Sequence, residues 1–454
     1  MKIISLAFMG LVVLAPLPFG MVQSLFQAWF AFLVTALAVG YCGNRLVQGE
    51  APAVALGKIR PAALGFFLVM GWGIFQLVSF VPAPWHHPLW AEAGAVLGRD
   101  LQGGISLVRG DGFESLMRVL TYGAVFFLAL QLGRDLHRAW RLLWVLVLAG
   151  SAYAVYGLAM HFAGIEKVLW VERDGAARNV TGPFINRNHF ATYLGLVLLC
   201  AAGLYLEGFL KTLSPGRVGR DRLLHVLQQT FVRGAPLLAC MLILITALFL
   251  THSRAGVISA LAALLVLAVF LGLLTRLAGR SHRGLTLTLL AAVLGVFFLS
   301  GEGWLARLTA TDLERETRLE RYEQTWQAIS QSPWTGYGVG SYAHTFLIFA
   351  DARTVNSYKA HNDWLETTFE LGLPAAILWF SVLGWLGIQC LIGFFRRRRD
   401  HVYPVVGFCA CILVGLHALA DFSLQIPAVA VTFAVLLGVG MGGAVRSRRL
   451  EAEG

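Results

Sequence analysis

Three short polar clusters interrupt an otherwise greasy chain: "FINRNHF" at 184–190, "THSRAG" at 251–256 and "KAHNDWLE" at 359–366. The first two set Arg187 and Arg254 at the start of apolar runs, and the third sets His361 ahead of another. The first N–H groups of a helix are unsatisfied and carry the positive end of its dipole, so such starts favour an anion. A guanidinium at two of them makes phosphate or pyrophosphate the natural ligand. A neutral imidazole at the third suits removal of a proton from a hydroxyl, because imidazole titrates near neutral pH. Asp363, Glu366 and Glu370 follow at i, i+3 and i+7, so their carboxylates share one helical face. Asn188, His189, Ser253, Asp363 and Glu366 are candidates for supporting roles around these groups. Plainer alternatives stand beside each reading. An arginine at a helix end is often an interfacial anchor, and His361 is equally placed beside an ordinary capped start in which Asn362 or Asp363 accepts from backbone N–H groups.

The elements that must position these clusters are apolar helices. The 454 residues are 57% hydrophobic and only 13% charged, with a mean hydropathy of +0.69, far from a soluble globular average. Apolar runs of roughly 17–25 residues, each able to cross about 30 Å of hydrocarbon, predict twelve spans. They lie near 3–19, 23–41, 62–80, 117–133, 139–163, 188–206, 235–251, 254–275, 284–300, 366–394, 403–420 and 425–444. The first run lacks a small-x-small cleavage signal before "MVQSLFQAWF" and reads as a retained helix rather than a signal peptide.

A net charge of +11 would suggest nucleic acid in a soluble protein. Placement argues otherwise. With the N-terminus cytoplasmic, most of the 36 basic residues fall in alternate short loops, including Arg134, Arg138, Arg141 and the run Arg396 to Arg399. That is the positive-inside pattern, and it predicts both termini in the cytoplasm and all three polar clusters on the outer side. The six cysteines fall in or at the ends of spans, which suggests packing rather than disulfides or a thiolate metal site.

The fold expected is therefore all-α, a polytopic membrane protein of about twelve transmembrane helices. It divides into membrane helices over 1–300, an outer loop over 301–361, and a last membrane part with a cytoplasmic tail over 362–454. Within the loop Leu319, Tyr322, Trp326 and Ile329 form one apolar stripe at helical spacing, predicting an amphipathic helix on the membrane or on the bundle. It ends at "SPWTGYGVGSY", where Pro333 and three glycines impose a tight turn. No D-x-D, H-E-x-x-H, P-loop or helix-opening G-x-G-x-x-G occurs, so the expected chemistry uses arginine rather than a metal or nucleotide for phosphate charge.

Taken together, "TGPFINRNHFATYL", "HSRAG", "TRLERYEQTWQAISQSPWTGYGVGSY" and "AHNDWLETTFELG" resemble the bacterial O-antigen ligase and polymerase superfamily over about 181–375. Arg318 matches the arginine of that family's loop helix, with Tyr322 where a tryptophan is commoner. The resemblance implies an enzyme of the bacterial inner membrane with its site facing the periplasm. It would move a glycan from a polyprenyl-pyrophosphate carrier to an acceptor hydroxyl, with Arg187 and Arg254 on the pyrophosphate and His361 activating the acceptor. No cofactor or metal is implied, and the partners are the lipid-linked donor, a lipid A-core or glycan acceptor and membrane lipids, with no nucleic acid. Ligation to lipid A-core oligosaccharide is the favoured reading. A polymerase joining lipid-linked repeat units is the alternative, and a lipid-linked glycan transporter is a third, non-enzymatic one. A transporter would place ionisable groups near mid-membrane on repeat-related broken helices, whereas here they gather at helix ends.

Overall fold

The apolar runs become helices, and their order follows the sequence. The computed structural model describes residues 1–172, 178–212, 228, 232, 234–277, 313–356, 358–397 and 400–445. The ninth predicted span, 284–300, the loop segment 301–312 and the basic tail at 446–449 lie outside the described residues. Fourteen helices matter here: α1 (Lys2–Leu14), α2 (Ser24–Val47), α3 (Arg60–Leu77), α4 (Leu89–Leu97), α5 (Arg109–Gly133), α6 (Leu136–Phe162) and α7 (Arg187–Thr212). They continue with α8 (Ala235–Leu250), α9 (Arg254–Leu277), α10 (Leu313–Gln331), α11 (Asp363–Leu371), α12 (Leu373–Arg396), α13 (Val402–His417) and α14 (Pro427–Ala444). Among the described residues seven helices are long and apolar enough to cross a membrane, and four shorter apolar helices accompany them. Among the described residues the fold is all-α apart from a two-stranded hairpin at Lys167–Val168 and Val171–Glu172.

Two helices make the centre. In both α7 and α14 the most apolar window is 94% buried. The sequence of α14, "PAVAVTFAVLLGVGMGGA", keeps small residues where neighbours approach. A Cβ at Gly438 would lie 2.7 Å from the Phe126 carbonyl of α5, so that close helix crossing requires glycine. Helices α5, α12 and α13 pack around α14, while α6, α8, α9 and α13 pack around α7.

The tenth predicted span, 366–394, is corrected: it is two helices. Gly372 takes φ +77° and ψ 162°, ending α11, and Pro374 in the first turn of α12 starts the next. The glycine-rich turn after α10 docks on this break. Tyr337 and Gly338 donate their N–H groups to the Phe369 and Glu370 carbonyls at 3.0 Å, and Leu373 donates to Pro333 at 2.8 Å. A Cβ on Gly372 would meet the Trp334 carbonyl oxygen at 2.5 Å. Gly372→Ala therefore combines an unfavourable φ with a backbone clash, and should cost about 2 kcal/mol or more. Thermal unfolding in detergent reads this as a lower Tm; an unchanged Tm would show that the turn does not clamp the break.

The amphipathic helix is present as α10, but its buried face differs from the expected stripe. Ile329 is buried, yet Leu319 and Trp326 are exposed, while Arg321, Thr325 and Ala328 are buried. The reason is polar: Thr325 Oγ1 pairs with the Tyr342 hydroxyl at 2.8 Å, and Arg321 reaches the Lys359 carbonyl at 3.4 Å. Helix α10 docks on the residues flanking His361, and Leu319 and Trp326 point away from the protein.

Candidate active site

His361 is built into place from four directions. Its backbone lies in the left-handed region at φ +54°, uncommon for a residue with a side chain. Asn362 follows as the cap of α11, its Oδ1 accepting from Leu365 N–H at 3.1 Å. The Asp363 N–H donates to Ala418 O at 2.9 Å, and Asn362 Nδ2 to Leu419 O at 3.2 Å, which ties the start of α11 to the end of α13. From α10 the Tyr322 hydroxyl donates to the His361 carbonyl at 2.8 Å. Strain held by surrounding contacts is common where a side chain must be aimed.

The aim is at Asp421. This residue lies in the short connection between α13 and α14, fully buried, with Oδ1 3.1 Å from His361 Nδ1. Burial by itself would raise the Asp421 carboxyl, but the hydrogen bond from His361 and the surrounding imidazoles of His189 and His417 hold it down at about 2. An ionised carboxylate only accepts, so His361 Nδ1 must be the donor. In the neutral ring the proton then sits on Nδ1 and Nε2 carries the lone pair, and among the described residues no hydrogen bond engages that nitrogen. A base with its lone pair exposed and its other nitrogen anchored is the result.

His189 belongs to the same cluster. It is buried, its Nε2 lies 3.7 Å from Asp421 Oδ2, and both atoms lack a hydrogen-bond partner. The Phe422 ring fits between His189 and His361, edge-on to both, with centroids at 4.7 and 5.0 Å. Behind it His417 Nδ1 pairs with the Thr192 and Ser423 hydroxyls at 3.0 Å.

The arginines gather next to this cluster through α7. Arg187 opens α7 two residues before His189, and its Nη1 donates to Asn179 Oδ1 at 3.2 Å. The same oxygen is 3.1 Å from Nδ1 of His252, which shares the left-handed backbone of His361 at φ +54°. His252 precedes Ser253, whose buried hydroxyl accepts from Gly256 N–H at 3.3 Å, and then Arg254, the first residue of α9. The starts of α7, α9 and α11 thus meet at one end of the bundle, α7 touching α9 through Asn179 and α11 through Asp421. Arg187 and Arg254 are half-buried.

The remaining candidates separate into distinct roles. Glu366 is buried and accepts from Lys359 Nζ at 2.8 Å and from Ala360 N–H at 3.0 Å, bracing the segment that carries His361. Asp363 does not cap α11; its carboxylate accepts from Leu424 N–H at 3.2 Å and Gln425 Nε2 at 3.3 Å. Asn188 contributes backbone bonds, accepting from Thr192 and donating to Asn186. Arg318 is half-buried one turn before Tyr322 on α10. One expectation narrows: with Asp363, Leu365 and Glu366 N–H groups already bonded, the start of α11 has little left for an anion, and that role falls to the arginine-bearing starts.

Sequence reasoning passed over Asp421, His417, Asn179 and Lys359. A signal for Asp421 existed: "DFSLQ" at 421–425 is a polar break between the last two apolar runs, on the side where the other clusters fall.

Residues 239–380 match the family described as O-Antigen ligase. No curated protein matches the chain. This match supports the resemblance to the O-antigen ligase and polymerase superfamily. The matched segment runs from α8 into α12. It contains Ser253, Arg254, Arg318, His361, Asp363 and Glu366, whereas Arg187, His189 and Asp421 lie outside it and join it only in space.

Proposed function

We propose that this O-antigen ligase-like chain is an inverting, metal-independent glycosyltransferase of the inner membrane, its site facing the periplasm and both termini in the cytoplasm. It moves a glycan from a polyprenyl-pyrophosphate carrier to an acceptor hydroxyl, the acceptor being lipid A-core oligosaccharide. The observation that carries this reading is the His361–Asp421 pair next to the arginine-bearing starts of α7 and α9. Asp421 holds the imidazole so that Nε2 takes the proton as the acceptor oxygen attacks the anomeric carbon. The carbon–oxygen bond to the pyrophosphate breaks, and Arg187 and Arg254 bear the charge that develops on it. A lipid pyrophosphate is already a good leaving group, so alignment and charge stabilisation are what the protein must supply.

The test is transfer by the purified full-length protein from a polyprenyl-pyrophosphate glycan, with EDTA present, to lipid A-core or to a second donor molecule. Product on lipid A-core supports ligation. Chain extension without lipid A-core replaces it by the polymerase reading, and donor use independent of either acceptor overturns both. Activity lost to EDTA and regained with metal overturns metal independence.

Arg187→Gln and Arg254→Gln should each lower donor kcat/KM by about 10- to 1000-fold, the range for losing one charged stabiliser of a developing anion. Steady-state kinetics at saturating acceptor reads this, and unchanged donor parameters in both variants would make the arginines membrane anchors.

A further inference from the structure

His252 and His361 are built alike. Each takes φ +54° and stands immediately before a polar residue at a helix start, Ser253 ahead of α9 and Asn362 ahead of α11. Each has its Nδ1 3.1 Å from one side-chain oxygen. The two oxygens differ in charge. That of Asp421 belongs to a carboxylate, and that of Asn179 to a neutral amide.

The Asn179 amide has only one orientation open to it. Its Oδ1 lies 3.2 Å from Arg187 Nη1, and a guanidinium only donates, so the atom facing it is the oxygen. The same oxygen then requires an N–H on His252 Nδ1. One acceptor thus holds donors from two different helix starts. It is itself fixed from the core side, because Val180 is fully buried and donates its N–H to the Leu250 carbonyl at 2.9 Å. The Thr181 carbonyl accepts from Phe184 N–H at 3.0 Å in the turn that leads to α7. Opposite, His252 N–H donates to the Phe249 carbonyl at 3.0 Å, two residues before Arg254 opens α9. The amide therefore stands between the α8–α9 reversal and the start of α7, and a shift of it is felt at both.

Charge explains why the acceptor is an amide. Among the described residues no carboxylate pairs with Arg187, and its bond to Asn179 uses one of five N–H donors. A carboxylate in that place would grip the guanidinium more firmly, but it would cancel the charge that an incoming anion needs. An amide orients the side chain without neutralising it. The opposite requirement holds at His361, where a carboxylate stabilises the imidazolium that forms.

We propose that Asn179 is a positioning residue of the anion site: it sets Arg187 and, through His252, the start of α9 in register, and its neutrality keeps the guanidinium charge available to the pyrophosphate. This deepens the function proposed above and rests on it for the identity of the anion.

The experiment uses the purified full-length protein with polyprenyl-pyrophosphate glycan and lipid A-core. Asn179→Asp is the deciding variant, because it keeps an acceptor oxygen for both Arg187 and His252. It should unfold at the native temperature or higher, yet raise donor KM about 10-fold or more while leaving acceptor KM unchanged. Asn179→Ala should lower donor kcat/KM by a similar factor, and adding Arg187→Gln to it should cost less than the product of the two single losses. Native donor kinetics in Asn179→Asp would overturn the charge argument, and multiplicative losses in the double variant would overturn the positioning, in both cases with the function above left standing. If the native protein transfers to no acceptor, that function fails, and thermal unfolding of the same double-variant cycle judges the hold on Arg187 by itself. Non-additive changes in Tm would uphold the hold, and additive ones would overturn it.

Discussion

His361→Ala should reduce glycosyl transfer by about 10²–10⁴-fold, the contribution of a positioned general base, while leaving membrane insertion and fold intact. The fold expectation follows from how the residue is held. Asn362 caps α11 with its own side chain, and the bonds from Asp363 N–H to α13 and from Tyr322 to the 361 carbonyl are made to backbone that survives the substitution. Only the imidazole is lost, with its Asp421 bond and its edge contact on Phe422. Near-normal turnover would remove His361 from the chemistry and leave it a helix-start residue. Partial recovery with added imidazole would strengthen the assignment, since the small molecule can occupy the vacated space beside Asp421.

Asp421→Asn should have an effect of nearly the same size, roughly 10³-fold in kcat by the logic of any buried carboxylate that fixes an imidazole tautomer. With its carboxyl held at about 2, Asp421 is ionised throughout the physiological range. An amide of the same shape carries no charge and can present N–H to Nδ1, which favours the tautomer with Nε2 protonated and useless as a base. The sign of the acid behaviour follows: Asp421 contributes stability above its unfolded value near 4, and that contribution is lost as pH falls toward about 2. Loss of activity at mildly acidic pH therefore does not come from this carboxylate. Turnover of Asp421→Asn is to be read beside Asp421→Glu, which keeps the charge and should recover part of the rate. If both variants turn over like the native protein, the pair is packing and His361 acts unaided.

Much of this was legible beforehand because membrane helices write themselves as apolar runs. All the predicted spans other than 284–300 fall on helices among the described residues, with one broken at Gly372. The break was not read because Leu371, Leu373 and Ala375 continue the apolar pattern, and only docking of the 333–338 turn makes the left-handed glycine necessary. On α10 the expected stripe divides, with Ile329 buried and Leu319 and Trp326 exposed. Hydrophobic spacing marks an apolar stripe, but which side turns to the protein was decided by Arg321 and Thr325 finding polar partners.

The sequence by itself determined the class of protein, the three polar clusters and the type of chemistry each could offer, because residue type and helical periodicity are local properties. Only the tertiary structure decided that α7, α9 and α11 bring their starts together, that Glu366 braces a lysine, and that Asp421, sixty residues beyond His361 in the chain, fixes the tautomer of that imidazole. The packing of α13 and α14 against α11 places that carboxylate, and no local pattern encodes it.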